Sequence, residues 1–129
     1  MATEIKALFK VSGPDLKIDE VTVGRQGFRV GRLSENTLAL NHREISRQHM
    51  RITWREDEKF LVEDLNSSNG VWLNDTRLVA RAPEEINEGD VIRCGPFIFT
   101  FVRLIQYEPE ILDRPSAAAF DVSLGAVEK

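Results

Sequence analysis

Residues 50–62 read Met50-Arg51-Ile52-Thr53-Trp54-Arg55-Glu56-Asp57-Glu58-Lys59-Phe60-Leu61-Val62. In an extended chain successive side chains point to opposite faces, so Met50, Ile52 and Trp54 share one face and Arg51 and Thr53 the other. The acidic run Glu56-Asp57-Glu58 interrupts the apolar pattern, and Phe60-Leu61-Val62 resumes it. This stretch therefore predicts two strands joined by a turn. Outward from it the pattern recurs. Residues 5–11 form a run stopped by Ser12-Gly13-Pro14, and residues 16–23 alternate up to Gly24. Phe28-Arg29-Val30 runs into Gly31-Arg32, residues 37–40 make a short strand, and Val71-Trp72-Leu73 follows an Asn69-Gly70 turn. Asn74-Asp75-Thr76 reads as a further turn, and Gly95-Pro96 separates residues 91–94 from residues 97–104. No helical period persists. About ten to eleven short strands, spaced by roughly eight to twelve residues, predict an all-β antiparallel sandwich with alternate apolar side chains packed between two sheets.

The chain of 129 residues is long enough for one domain with its own core. The strand pattern occupies residues 1–105. Residues 106–129 change character, with Pro109, Pro115 and the run Ala117-Ala118-Ala119, and read as a linker or C-terminal tail or the start of a longer chain. No apolar run approaches the roughly 20 residues that span a bilayer, and the amino terminus lacks the pattern of a secretory signal. A lone Cys94 leaves no internal disulfide and fits a reducing, cytoplasmic compartment. With only His42 and His49 beside it, no structural metal site of ordinary ligand count is expected.

Net charge is −4, but its distribution is uneven. Between Arg25 and Arg55 stand seven arginines against Glu35 and Glu44, a local +5 that leaves −9 on the remainder. An acidic body with one arginine-rich segment suggests a local anion site and argues against general nucleic-acid binding. The plainer reading, that several of these arginines simply occupy solvated strand faces, stands beside it.

Three polar signatures fall at breaks between strands: Gly31-Arg32, then Ser46-Arg47-Gln48-His49, then Ser67-Ser68-Asn69-Gly70 with Asn74 behind. Phosphorylated threonine carries about −1.5 to −2 charge and three strong acceptor oxygens. Arginine offers a planar fork that matches neighbouring oxygens, and serine hydroxyls can donate beside it. Gly31 would let the backbone turn sharply ahead of Arg32. Taken singly each signature is weak, since Ser46 could cap a turn and Asn-Gly makes a tight turn in any β protein.

Together, in this order and followed by Gly89-Asp90, the signatures resemble those of the forkhead-associated (FHA) domain family over about residues 5–104. The resemblance implies a β-sandwich that binds phosphothreonine peptides without catalysis or cofactor. It casts Arg32, Ser46, Arg47 and Ser68 as phosphate or peptide ligands and Asn69 as a ligand of the peptide main chain. Gly31, His49, Gly70 and Asn74 become structural supports of the binding loops. Glu44 falls where some relatives read the third residue after the phosphothreonine, and a carboxylate there should disfavour an acidic residue. The implied partners are a phosphothreonine-containing protein and an upstream Ser/Thr kinase, with neither nucleic acid nor membrane. The sequence leaves the oligomeric state open.

Two other functions compete. One is a phosphate-independent interaction or oligomerisation scaffold, or a regulatory domain of a larger enzyme; retention of Arg32, Ser46 and Asn69 favours phosphate dependence. The other is an enzyme. Ser46, His49 and Asp64 can be drawn as a triad, but no G-x-S-x-G turn carries the serine and no phosphate-cradling glycine loop is present.

Overall fold

The computed structural model describes residues 4–107. Eleven strands form two sheets. The six-stranded sheet has the order β2 (Glu20–Val23), β1 (Glu4–Ser12), β11 (Phe97–Tyr107), β10 (Val91–Cys94), β7 (Val71–Leu73) and β8 (Thr76–Arg77). The five-stranded sheet has the order β4 (Leu38–Ala39), β3 (Phe28–Gly31), β5 (Met50–Arg55), β6 (Lys59–Asp64) and β9 (Glu84–Ile86). All pairings are antiparallel except β3 with the two-residue β4, which is parallel. The fold is the expected all-β sandwich.

Alternation explains the layers. On β11, Phe97, Phe99 and Phe101 are buried while Ile98 is exposed, as period two requires. On β5, Met50 and Ile52 are fully buried and meet Asp64 and Val62 across the β5–β6 register. Trp54, the third member of that face, is half-buried against the core. Phe101 joins the sheets: its ring lies 5.0 Å from Phe9 in its own sheet and 6.4 Å, edge-on, from Phe60 in the other. Truncating a core phenylalanine to alanine costs about 3–5 kcal/mol, so this cluster holds a large share of a domain's net stability.

Three expectations need correction. The run 16–23 becomes a strand only from Glu20, because Pro14 and a left-handed Asp15 (φ 59°) hold the preceding segment in a turn. The turn at 74–76 returns directly into β8, where Thr76 and Arg77 pair with Leu73 and Trp72. The strand β9 was not expected at all: of its residues only Ile86 is apolar and buried, and it pairs with Phe60. The segment 106–129 lies outside the described residues from Glu108 onward.

The sandwich places three connections, β3–β4, β4–β5 and β6–β7, side by side. Arg32 N–H donates to the Ser46 carbonyl at 2.9 Å and His49 N–H to the Val30 carbonyl at 2.9 Å. Leu65 N–H donates to the His49 carbonyl at 2.9 Å. The β4–β5 loop is thus tied by its backbone to both of its neighbours.

Candidate functional site

These three loops border an open depression of about 320 Å³, lined by Arg32, Arg43, Glu44, Ile45, Ser46, Arg47, Gln48, Ser68 and Asn69. Every residue that the resemblance cast as a peptide ligand therefore faces one depression, although these residues come from separate parts of the chain. Arg32, Arg47, Ser68 and Asn69 are exposed and Ser46 is half-buried.

The seven arginines sort themselves by environment. Arg51 pairs with Glu63 at 2.7 Å, and Arg55 bridges Asp57 and Glu85 at 2.8 and 3.0 Å. Arg25 stacks over Trp54 at 4.7 Å, and Arg29 reaches Gln48 at 3.4 Å. Arg32, Arg43 and Arg47 line the depression, and none of the three forms an ion pair with a described residue. Among the described residues the Arg32 guanidinium makes one hydrogen bond, a long one of 3.4 Å from Nη1 to the Ile45 carbonyl. Three guanidiniums against the single carboxylate of Glu44 give the depression a positive balance, and unpaired guanidiniums remain free to donate to an anion.

His49 holds the loops together. It is fully buried. Its Nδ1 accepts the Ser46 backbone N–H at 3.0 Å, and Nε2 lies 2.9 Å from the Gly70 carbonyl. Accepting at Nδ1 requires that nitrogen to be unprotonated, so the proton resides on Nε2 and is donated to Gly70. Burial lowers the imidazole pKa below its ordinary value, partly opposed by the Gly70 carbonyl and by Asp64. One neutral ring thus fixes the backbone on either side of the depression, at Ser46 and at Gly70.

The β6–β7 turn is built from buried polar groups. Asp64 Oδ1 accepts Ser67 N–H at 2.9 Å, and Ser67 Oγ accepts Gly70 N–H at 3.0 Å. Gly70 has φ +85°, a left-handed value that suits glycine. Ser46 Oγ accepts Ser68 N–H at 3.0 Å, and Asn69 Nδ2 donates to the Glu44 carbonyl at 3.0 Å. With its lone pair so engaged, the Ser46 hydroxyl hydrogen remains available to point into the depression.

Gly31 corrects a physical reason. It is a buried strand end and its φ is not left-handed, so no special turn requires glycine there. What requires it is space: a Cβ at this position would stand 2.2 Å from the Arg47 carbonyl oxygen and 2.7 Å from Asn36 Nδ2. Asn74 also needs restating. Its Oδ1 accepts Val91 N–H at 2.9 Å and its Nδ2 donates to Asp90 at 3.0 Å. It braces the turn after β7 and makes no side-chain bond to the three loops of the depression.

Sequence reasoning missed Asn36. It is buried, and its Nδ2 donates to the Leu33 and Arg47 carbonyls, both at 2.9 Å, folding the β3–β4 loop back on the β4–β5 loop. An asparagine between Glu35 and Thr37 carries no sequence mark of that role. The triad of Ser46, His49 and Asp64 is not assembled. His49 bonds to the Ser46 backbone and not to its hydroxyl, so nothing links nucleophile to base.

Comparison with known proteins agrees with this geometry. The family model described as the FHA domain matches residues 21–95. The chain is similar to the FHA domain-containing protein PS1 of Arabidopsis thaliana, 36% identical over 86 residues, covering 66% of this chain and 5% of that protein. It is also 37% identical over 73 residues to the transcriptional regulatory protein EmbR of Mycobacterium tuberculosis, covering 57% of this chain and 18% of that protein. This chain thus spans only a small part of either relative. Among solved structures, the FHA domain of the CT664 protein from Chlamydia trachomatis superposes with a TM-score of 0.66 at 26% identity, covering 80% of this chain and 99% of that one. The structure of Mycobacterium tuberculosis EmbR in complex with a low-affinity phosphopeptide superposes with a TM-score of 0.64 at 27% identity, covering 82% of this chain and 26% of that one. On a sandwich of this topology with three loops tied around one cationic depression, the match is decisive: the chain belongs to the FHA domain family.

Proposed function

We propose that this chain binds phosphothreonine-containing segments of a partner protein, as a non-catalytic module in signalling downstream of a Ser/Thr kinase. One observation carries the reading: Arg32, Arg47, Ser46 and Ser68, from three loops, border one open depression in which the guanidiniums form no ion pair with a described residue. Arg32 and Arg47 are assigned to the phosphate, with the Ser46 and Ser68 hydroxyls donating beside them. Asn69 Oδ1, which accepts no hydrogen bond from a described residue, is assigned to a peptide N–H.

Hydrogen bonds to charged groups contribute about 1.5–3 kcal/mol each. Four such bonds, less the ordering of a flexible peptide, correspond to roughly micromolar affinity. Catalysis is not proposed, because the one serine–histidine arrangement near the site serves the backbone. Residues 1–105 are taken as the binding module and residues 106–129 as a linker, a C-terminal tail or the start of a longer chain, in a reducing cytoplasmic setting. A calorimetric titration with one peptide in its phosphothreonine, phosphoserine and unmodified forms tests the reading. Heat is expected with phosphothreonine, none with the unmodified form, and none with Arg32→Ala, whose fold should stay intact. Equal binding of phosphorylated and unmodified peptide would overturn it in favour of a phosphate-independent scaffold.

A further inference from the structure

The outer face of the six-stranded sheet carries a second cationic feature beside the phosphate depression. Across β8, β7, β10 and β11 the register lines up Arg77, Trp72, Arg93 and Ile98 as consecutive cross-strand neighbours. The two guanidiniums stand over the Trp72 ring, 5.2 Å from its centroid for Arg77 and 4.4 Å for Arg93. Neither forms an ion pair with a described residue. Ile98 and the neighbouring Val91 are exposed at 38% and 37%. With Trp72 and Arg93 they border a shallow groove of about 300 Å³, to which Asp75 contributes the one carboxylate.

The strip is continuous with the binding end. The Arg77 guanidinium packs against Gly70, so close that a Cβ on that glycine would stand 2.6 Å from Arg77 Nε. Gly70 directly follows Asn69, which lines the phosphate depression. A chain leaving that depression past Asn69 meets Arg77 first, then Trp72 and Arg93.

We infer that this strip is an auxiliary docking surface for an acidic, extended segment of the same phosphorylated partner, with carboxylates on Arg77 and Arg93 and an apolar side chain against Trp72 and Ile98. The occupant follows from charge complementarity: the row sets two guanidiniums, neither ion-paired with a described residue, around one aromatic ring against the single carboxylate of Asp75 at its border. The inference rests on the phosphothreonine reading for the partner's anchor, but the strip is a separate surface with its own observable.

The test uses an alanine-based phosphothreonine peptide, with and without an appended Gly-Ser spacer and Asp-Glu-Leu-Asp-Glu, attached in turn at either end. Affinity is read by anisotropy, and the Trp72 indole N–H is followed by NMR with Trp54 as internal control. In the wild type one tailed form should bind about fivefold to tenfold tighter than the plain peptide and shift the Trp72 signal. The double variant Arg77→Gln/Arg93→Gln should bind the plain peptide as the wild type does and lose the increment. Arg103→Gln, which removes an equal charge at the far end of β11, should keep it. Arg32→Ala separates the two claims: it abolishes plain-peptide binding, while the unphosphorylated tail at high concentration still shifts Trp72. An increment that survives in the double variant, or a tail that adds nothing to a plain peptide that binds, overturns the inference. So does a Trp72 signal that moves with protein concentration instead of with peptide, which would assign the face to a second copy of the chain.

Discussion

Replacing His49 probes the device that joins the loops, and the structure sets the size of the effect. The ring is fully buried and satisfies two backbone groups, the Ser46 N–H at 3.0 Å and the Gly70 carbonyl at 2.9 Å. His49→Ala strands both, at about 1–3 kcal/mol each, and leaves a cavity, for an expected total of about 3–5 kcal/mol. For a domain of this size that lowers the melting temperature by on the order of 15–25 °C. His49→Phe separates polarity from volume: it fills the space but offers neither acceptor nor donor, so a loss of at least about 2 kcal/mol should remain. The assay is urea unfolding followed by tryptophan fluorescence, with phosphopeptide affinity measured well below each midpoint. Both variants should bind at least about tenfold more weakly, because Ser46 and Gly70 are no longer held relative to each other. A His49→Phe protein as stable as the wild type, with undiminished affinity, would show that packing and not this hydrogen-bond relay sets the loops.

Further expectations follow from other residues. Gly31→Ala should destabilise by about 1–3 kcal/mol or more and weaken phosphopeptide binding, since the new methyl meets the Arg47 carbonyl; unchanged denaturation would contradict the contact. Because burial lowers the His49 pKa, the unfolded chain takes up a proton at higher pH than the folded one. The stability from this group is therefore complete above its ordinary value and is lost as pH falls from about 6.5 toward the folded pKa, by up to about 1.4 kcal/mol per unit. That part of the slope should vanish in His49→Phe unfolding curves, and an identical slope in both proteins would count against it. Glu44→Lys should shift tolerance at the third residue after the phosphothreonine from basic toward acidic; a peptide array with the same preference in both proteins removes Glu44 from selectivity.

What could be read from the chain alone divides along a physical line. The inward faces of β5 and β11 were legible because period two survives in Met50-Ile52 and Phe97-Phe99-Phe101 wherever one face is dry and the other wet. Strand β9 was not, because its existence depends on backbone pairing with β6 and its own residues supply only Ile86 to the core. The residues lining the depression were legible because exposed arginine, serine and asparagine at loop positions show their chemical type directly, whatever surrounds them. Their supports were less so. Gly31 reads as the glycine of a sharp turn ahead of Arg32, yet its constraint is a carbonyl from another loop, and Asn36 earns its role only from where the Arg47 carbonyl comes to rest. The Arg77-Trp72-Arg93 row depends on the register of three strands, which no spacing along the chain encodes.

The central claim, that one depression between three loops receives the phosphate, is tested most directly by an NMR titration of the isotopically labelled protein with a phosphothreonine peptide. The expected result is a saturable shift of the Arg32 Nε–H and of the Ser46, Arg47, Ser68 and Asn69 amides, absent with the unmodified peptide. Shifts confined instead to the groove around Lys59, Ile86 and Leu104 would contradict it.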